Sequence, residues 1–309
     1  MDILITGGCG FIGTNLVDRL LMQPEISGVR TLDNYSTGVR RLAPSSRVDE
    51  IEGDLRNYDD VRSASAGVSA IVHLGALPSV PRSLKDPLST NAVNVTGTLN
   101  VLEAARENGV SHVSVASSSS VYGANPALPK VETLATLPLS PYAVSKLATE
   151  AYANAYSTSF GLSTLAFRFF NVFGPLQRAD HAYAAVIPKF LDALKSGAPL
   201  IIYGDGEQSR DFTSVHAVTD ALTKAVVRSV TNDTPVNLAF GSRISLNAVV
   251  GLLQEMHPRR IEVEYVDRRV GDITHSQASA DLLKSLIPDV ERPAFVDALG
   301  EVYDWYMRL

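Results

Sequence analysis

Residues 3–13 read ILITGGCGFIG, and this stretch decides the fold that we expect. The apolar run at residues 3–5 predicts a short buried strand, and a helical pattern starts at Phe11 and continues through Leu16 and Leu20. Glycines between a strand and a helix let backbone amides approach a pyrophosphate, which the N–H groups and dipole at the helix N-terminus attract. The stretch therefore predicts a dinucleotide-binding βα unit.

Asp33 stands at the end of the next predicted strand, about 20 residues beyond the glycines. A carboxylate at this point accepts hydrogen bonds from two ribose hydroxyls and repels a 2′-phosphate, so NAD is favoured over NADP. An alternative is that Asp33 only shapes the turn at residues 33–38. Cys9 is expected to be a small filler beneath the loop rather than a nucleophile.

Apolar or β-branched runs alternate with helical patterns over the first half of the chain. These runs are residues 3–6, 29–32, 51–53, 70–74, 113–117 and 164–169. The alternation predicts an α/β fold, a Rossmann-type doubly wound parallel sheet with helices on both faces, such as the helical stretch at residues 91–107. After Gly174 turn-rich connections predict a smaller C-terminal substrate-binding lobe. We therefore divide the chain into residues 1–173 and 174–309, with chain crossings between the lobes and the substrate in the cleft.

Composition excludes several other classes of protein. The chain has 309 residues, 45% of them hydrophobic and 19% charged, and a net charge of −6, which is typical of soluble enzymes and gives no basic surface for nucleic acid. One cysteine cannot form an intrachain disulfide, and the six histidines lack metal-ligand spacing, so no metal is expected. No signal peptide and no membrane-spanning run is found in the sequence, so we expect a cytoplasmic location.

Ser140 and Pro141 predict the start of a helix that carries Tyr142 and Lys146. The spacing of four places the two side chains on one helix face. The ammonium can lower the pKa of the phenol, and a positively charged nicotinamide nearby would lower it further. A phenolate would then be a general base for a substrate hydroxyl. The alternative is that a tyrosine and a lysine share a helix face by chance.

Four serines at residues 117–120 end the predicted strand before Val121. Hydroxyl groups at the C-terminal end of a strand point into the ligand crevice of a parallel sheet. A polar turn would suit four serines equally well, so serine content alone does not decide between the two interpretations.

The motifs together resemble the extended short-chain dehydrogenase/reductase family, and the resemblance spans nearly the whole chain. It is carried by the glycine stretch, Asp33, Asp54-Leu55, residues 73–76 (HLGA), residues 117–123 (SSSSVYG) and the Tyr142/Lys146 pair. The resemblance implies that Ser118 completes a Ser-Tyr-Lys catalytic triad. It also implies NAD contacts at Gly7, Gly10, Phe11, Ile12, Gly13, Asp33, Asn34, Gly38, Asp54, Leu55, Leu74, Ala76, Asn94, Tyr142 and Lys146.

Within this family the nucleotide-sugar 4-epimerases fit best. The matching segments are residues 170–174 (FNVFG), 203–206 (YGDG), 210–212 (RDF) and 269–272 (RVGD). The resemblance implies that Asn171, Arg210 and Arg269 hold the diphosphate, for which arginine forks are well suited, and that Tyr203 lies near the nucleobase. The alternative for Arg210 is a surface ion pair with Asp211.

Serines replace the acidic residues of related enzymes. Dehydratases of the family carry an acidic pair after the triad hydroxyl, and decarboxylases carry a glutamate, where this chain has Ser119 and Ser120. Elimination chemistry is therefore not expected.

The preferred sugar is indicated by residues 79–83, 184–189 and 275–276, together with Gln177, which resemble enzymes acting on UDP-N-acetylhexosamines. Ser276 stands where epimerases restricted to the plain hexose carry a bulky tyrosine, so it leaves room for an acetamido group that Ser119 could bind. The alternative is that Ser276 caps the following helix. The substrate contacts implied by the resemblance are Ser79, Ser119, Asn171, Gln177, Ala185, Tyr203, Arg210, Arg269, Asp272 and Ser276.

The expected activity is NAD-dependent 4-epimerisation of UDP-N-acetylglucosamine or UDP-N-acetylgalactosamine, a derivative, or UDP-glucose and UDP-galactose. Tyr142 would remove the proton of the 4-hydroxyl, and a transient 4-keto sugar would turn before the hydride returns. Alternatives are a 4-ketoreductase or dehydrogenase with the same triad, a UDP-glucuronate 4-epimerase, and a non-catalytic dinucleotide sensor. The partners expected are a UDP-sugar and, by analogy, a second copy in a homodimer formed through helices, without nucleic acid or membrane.

Overall fold

The computed structural model describes residues 1–40, 45–179, 184–268 and 274–309. Along the chain the strands are β1 (Asp2–Thr6), β2 (Gly28–Asp33), β3 (Val48–Glu52), β4 (Ala70–His73), β5 (His112–Ser118), β6 (Thr164–Phe169), β7 (Val172–Phe173), β8 (Leu200–Tyr203), β9 (Ser209–Arg210), β10 (Thr213–Ser214), β11 (Val236–Leu238), β12 (Ile244–Ser245) and β13 (Val263–Val266). Seven of them form one sheet in the order β11-β6-β5-β4-β1-β2-β3.

The helices that cover the strands are α1 (Phe11–Leu21), α2 (Tyr58–Ser65), α3 (Val80–Lys85), α4 (Pro87–Asn91), α5 (Gly97–Glu107), α6 (Pro141–Phe160), α7 (Val186–Ser196), α8 (Val215–Val227), α9 (Leu246–Met256), α10 (Asp281–Leu286) and α11 (Phe295–Arg308). A π-helical turn at Ala92–Thr96 joins α4 to α5, so the helix predicted at residues 91–107 contains a local widening that bulges the backbone. No helix among the described residues is long and apolar enough to cross a membrane.

Every neighbouring strand pair in the seven-stranded sheet is parallel. Alternate residues of β1 show how its two faces are covered: Ile3 and Ile5 pack with α1 and α8, whereas Leu4 packs with α2 and α5. The predicted Rossmann-type, doubly wound parallel sheet is therefore confirmed.

The smaller lobe has a core of its own, in which Phe190 of α7, Ile202 of β8 and Leu299 of α11 are buried together. The chain also returns to the large sheet after residue 173. Val218 and Leu222 of α8 pack against α1, and β11 pairs with β6. The lobes thus exchange segments, and a division at residue 173 stays an approximate proposal.

Candidate active site

The predicted site residues meet at one edge of the sheet because parallel strands all end on the same side. Each strand from β1 to β6 ends at or just before one of them, in the order Gly7, Asp33, Asp54, Leu74, Ser118 and Asn171. The residues predicted for NAD and the catalytic serine therefore lie along the same edge, where parallel sheets form their ligand crevice.

The glycine loop is folded back on itself between β1 and α1. Gly7 has a φ of +70°, its N–H donates to the Leu32 carbonyl at 2.8 Å, and its own carbonyl accepts from the Gly10 N–H at 3.1 Å. A Cβ on Gly13 would lie 2.7 Å from the Cα of Gly8 and still nearer the carbonyl oxygen of Gly7. Only glycine fits this position. Gly10 precedes α1 without a side-chain cap, and Phe11 and Ile12 form its partly buried first turn.

Asp33 ties the end of β2 to this loop. Its carboxylate accepts from the backbone N–H of Cys9 at 3.0 Å and of Tyr35 at 2.9 Å, so the predicted turn role is present. A Cβ on Gly38 would lie 3.1 Å from the same carboxylate, which leaves this side of Asp33 closely covered. Burial raises the pKa of the Cys9 thiol, and Cys9 packs as a small residue under the loop.

The rim of the crevice next to Asp33 is polar. Asn34 donates to Asp54 at 3.0 Å, and Arg56 forks onto the same carboxylate, which holds the pKa of Asp54 well below its usual range. Leu55 is buried behind Asp54 against Gly75 and Gly97, where a side chain would clash with it. The Asp54 carboxylate at this rim is thus held ionised and paired with Arg56.

The segment after β4 is fastened by Asn94, which lies in the π-helical turn. The Asn94 side chain accepts from the Leu77 N–H at 2.7 Å, and its amide donates to the Leu77 carbonyl and to Ser145. Asn94 therefore positions the loop that carries Leu74 and Ala76, which are both partly buried. Its direct contact with NAD stays a prediction.

The structure brings Ser118, Tyr142 and Lys146 together. Ser140 caps α6 by accepting from the Ala143 N–H at 3.2 Å, and Pro141 is the first residue of the helix, as predicted. Lys146 donates to the Ala116 carbonyl of β5 at 2.8 Å, and Ser118 at the end of β5 lies close enough to the Tyr142 hydroxyl to act on its pKa. Ser118 also accepts from the Ser120 N–H, so it caps the 3-10 turn at Ser119–Tyr122 as well.

The electrostatics of this trio differ from the sequence expectation. Burial raises the pKa of Tyr142, and the hydrogen bond from Ser118 opposes the rise. Burial also lowers the pKa of Lys146 to about 8, against the opposing charge of Glu150. The prediction of a lowered phenol pKa is wrong, because desolvation of the hydroxyl is the largest effect and raises it.

A buried ion pair beneath the trio was missed by sequence reasoning. Arg168 of β6 donates twice to Glu150 of α6, at 2.9 and 2.8 Å, and both side chains are 4% exposed. Ser117 donates to the same carboxylate, and the guanidinium lies 4.7 Å from the centre of the Tyr122 ring. Glu150 lies one helical turn beyond Lys146. No sequence spacing signals the pair, because its members belong to different elements.

The sugar side of the crevice contains a cavity of about 290 Å³. Its lining brings together Ser119 and Ser276, two of the predicted substrate residues, with Tyr122, Lys130 and His275. The Ser276 N–H donates to the Ser209 carbonyl at 3.0 Å, and α10 begins five residues later at Asp281 with its first turn held by Ser279. The alternative in which Ser276 caps that helix is therefore wrong.

Arg210 and Asp211 do not form a surface pair. Asp211 is completely buried, and its carboxylate accepts from the N–H groups of Gly241, Ser242 and Ala278. Arg210 instead donates to the carbonyl groups of Ser209 and Thr274. This alternative is wrong because the carboxylate organises the loops beneath the arginine.

Other predicted substrate residues are positioned by the backbone around β7 and β8. Asn171 has a φ of +36° and donates to the Asp211 carbonyl, while Gln177 donates to the Val172 carbonyl and has a buried side-chain oxygen without a partner among the described atoms. Tyr203 ends β8 and is half-buried.

The remaining predicted contacts are at helix starts or outside the described chain. Ser79 caps α3 with a φ of +99°, and the exposed Ala185 precedes α7. Arg269 and Asp272 lie outside the described residues. In the part of the chain that the structure describes, no three His, Cys, Asp or Glu side chains are placed to hold a metal ion.

Comparison with known proteins identifies the same kind of enzyme as the sequence motifs. The family model described as NAD dependent epimerase/dehydratase family matches residues 3–239. The UDP-glucose 4-epimerase of Mycolicibacterium smegmatis is 39% identical over 231 residues, which are 73% of each chain. Among the solved structures that cover nearly all of this chain are two epimerases with bound UDP-sugars.

One is the UDP-N-acetylglucosamine 4-epimerase of Methanobrevibacter ruminantium M1 in complex with UDP-N-acetylmuramic acid, which is 35% identical over 99% of this chain and 98% of that one, with a TM-score of 0.94. The other is the UDP-glucuronic acid 4-epimerase of Bacillus cereus with UDP-glucuronic acid and NAD, which is 26% identical over 100% and 99% of the two chains, with a TM-score of 0.90. The sequence motifs, the sheet and these relatives agree, and the chain belongs to the NAD dependent epimerase/dehydratase family.

Proposed function

We propose that the chain is an NAD-dependent UDP-sugar 4-epimerase with UDP-N-acetylglucosamine and UDP-N-acetylgalactosamine as its preferred pair. The observation that carries this proposal is the meeting of Ser118, Tyr142 and Lys146 on the crevice that the glycine loop also faces. The names of the relatives support the 4-epimerase activity. Ser119 and Ser120 leave the crevice without the acids of an elimination reaction.

The residues present fit a dinucleotide. Gly13 leaves no room for a Cβ, so α1 starts close against the loop, and the N–H groups of its first turn are the donors that a pyrophosphate would meet. Asp33 is placed for the ribose, since each of its oxygens can accept a further hydrogen bond beside the backbone N–H it already holds. When bound, NAD supplies the hydride acceptor and donor for C4 of the sugar.

The protein's own groups handle the proton. Tyr142 takes the proton of the 4-hydroxyl in the first half of the reaction and returns it in the second, with Ser118 holding O4. Because burial raises the pKa of Tyr142, the phenolate needs a cation nearby, which bound NAD would supply through its positively charged nicotinamide. Lys146, held on the Ala116 carbonyl, is fixed one turn from the phenol.

The acetamido preference is supported by space and chemistry at the sugar side. Ser276 is a small residue on the cavity of about 290 Å³, and Ser119 lines the same cavity with a hydroxyl that can hydrogen-bond an amide. A site that binds a polar substituent discriminates against sugars without it, because its polar groups would be left unpaired.

Two further features stay proposals. A homodimer through helices is supported by the exposed apolar side chains of Leu88 on α4 and Val144 on the adjacent α6, which a partner helix could cover. A cytoplasmic location stays a prediction from the sequence.

The test of the activity uses purified protein without added cofactor. We would offer UDP-N-acetylglucosamine, UDP-glucose and UDP-glucuronate and follow the anomeric proton signals of their C4 epimers by NMR. We expect conversion in each direction, fastest for the N-acetyl sugar. A protein that converts none of them but consumes added NADH or NADPH with a 4-keto sugar would be a reductase instead.

The same assay tests whether Tyr142 is the general base. Tyr142→Phe removes the proton acceptor, so we expect the turnover number to fall by roughly 10²- to 10⁴-fold while the substrate Kd changes little. Tyr152→Phe, the same substitution on the same helix, is the control and should keep turnover. Full turnover by the Tyr142→Phe protein would contradict the proposed mechanism.

A further inference from the structure

The cavity beside Ser119 is larger than an acetamido group needs. It has a volume of about 290 Å³, whereas a cavity that holds one water needs roughly 10–15 Å³. An acetamido group has four heavy atoms and would leave much of this space unfilled. A longer substituent on the sugar therefore fits the cavity, which we call the Lys130 pocket and define by Ser119, Tyr122, Lys130, His275 and Ser276.

Lys130 brings a positive charge into this pocket. Its side chain is only 8% exposed, and its ammonium donates to the Asn125 carbonyl and lies 6.0 Å from the centre of the Tyr122 ring. An ammonium has three protons to donate, so two remain for a ligand. Burial lowers the pKa of Lys130, which means that keeping its ammonium charged in the pocket costs free energy.

Among the described residues no carboxylate pairs with the Lys130 ammonium. Within residues 45–179 and the other described ranges, no ion pair joins Lys130 to an acidic side chain. Glu132 is close in sequence, but its carboxylate accepts from the Asn237 N–H at 2.9 Å. Buried charges in proteins are normally paired, so the missing anion points to the ligand.

The position of Lys130 is fixed by its backbone. Its N–H donates to the Gln277 carbonyl at 2.7 Å, and its carbonyl accepts from the Ser279 N–H at 2.8 Å and from the Asn237 side chain at 2.9 Å. These bonds join Lys130 to the segment that carries Ser276. The lysine is therefore part of a built site.

We propose that the Lys130 pocket receives a carboxylate carried by a substituent at C2 or C3 of the sugar. The carboxylate pairs with the Lys130 ammonium, while Ser119 and Ser276 flank the amide or ether that links it to the ring. The substrate class is thus a UDP-amino sugar with an acidic acyl or ether group. This inference rests on the proposed function in that it places the sugar ring beside Ser119.

The experiment compares acids with their uncharged esters. Calorimetric titration of the NAD-loaded protein would use UDP-N-succinylglucosamine, whose carboxylate extends from C2, and UDP-N-acetylmuramic acid, whose carboxylate extends from C3, each beside its methyl ester. Hydrogen bonds to a charged group favour the acid by roughly tenfold to a hundredfold in Kd. The arm with the larger ratio identifies the position of the substituent.

Variants test whether the ratio of the Kd values of ester and acid depends on Lys130. Lys130→Met keeps the length of the side chain without its charge, so the acid and ester should bind alike. Lys130→Arg keeps a charge and should restore part of the ratio, and Lys284→Met, at an exposed position of α10, should leave it unchanged. Thermal unfolding of each variant checks that it folds.

The outcomes separate this inference from the proposed function. If acid and ester bind equally to the unmodified protein in both arms, or if Lys130→Met leaves the ratio in place, the pocket does not bind a carboxylate, even where UDP-N-acetylglucosamine is epimerised. If the unmodified protein prefers the acid, Lys130→Met loses this preference and no UDP-sugar is epimerised, carboxylate binding in the pocket is supported and the proposed activity is contradicted.

Discussion

The two ends of the crevice are built in opposite ways. The cofactor end, residues 7–13 with residues 33–38, comes from two short stretches, and its contacts are largely backbone hydrogen bonds such as that from the Gly7 N–H to Leu32. The sugar end, residues 119–130 with residues 274–276, joins side chains from segments far apart in the chain. The first is determined by backbone shape, and the second by the size and charge of side chains.

This difference matches the demands of the two ligands. A dinucleotide presents the same pyrophosphate to every enzyme, and a loop of backbone amides binds it whatever the reaction. Sugars differ by single substituents, which side chains of suitable size and polarity can distinguish. The two ends should therefore respond differently to substitution.

The largest effect is expected from Gly13→Ala at the cofactor end. The new Cβ would lie 2.7 Å from the Gly8 Cα and nearer still to the Gly7 oxygen, and neither backbone atom can turn aside. We expect a loss of about 1–3 kcal/mol in the free energy of unfolding, and protein that no longer purifies with NAD. Urea unfolding and the NAD content of denatured protein measure the two effects.

Gly251→Ala is the matched control. Gly251 lies in α9, where an added Cβ meets nothing within 4 Å, so alanine should stabilise the helix by up to about 1 kcal/mol and leave the NAD content unchanged. If Gly13→Ala kept its NAD, the cofactor end would not depend on a close backbone approach, and the contrast between the ends would disappear.

The same contrast explains how much the sequence could predict. The glycine loop, the strands from β1 to β6 and the start of α6 were predictable, because each depends on residues close together in the chain. Lys130 and the Glu150–Arg168 pair were not, because their partners come from other strands and loops. The direction of the Tyr142 pKa was also wrong, since helix spacing carries no information about burial.

A smaller effect, on pH dependence, is expected from His73 beneath the cofactor end. His73 is 4% exposed and lies between Thr6 and Thr98, at 2.7 and 3.0 Å. Burial, aided by the charge of Lys146, lowers its pKa to about 3. Below pH 6.5 His73 binds a proton in the unfolded chain but not in the folded protein. The stability that is present above that pH is therefore lost as the pH falls towards 3.

The expected loss from His73 is about 2 kcal/mol between pH 8 and pH 5, measured by urea unfolding at both values. His73→Asn retains hydrogen-bonding groups without the titration, so its stability should change less over the same interval. An equal loss in the variant and the unmodified protein would show that His73 is not the cause.

The smallest effect is expected from Ser276→Tyr, which tests the sugar end alone. Ser276 is partly buried, and the bond that holds it, from its N–H to the Ser209 carbonyl, does not involve the side chain. A tyrosine would fill part of the Lys130 pocket, so we expect the preference for UDP-N-acetylglucosamine over UDP-glucose, as a ratio of kcat/KM values, to fall roughly tenfold. Ser285→Tyr, at an exposed position of α10, should leave the ratio unchanged. Because residue 276 lies at the sugar end, NAD content should stay constant in both proteins, and loss of NAD from Ser276→Tyr would mean that the two ends are coupled.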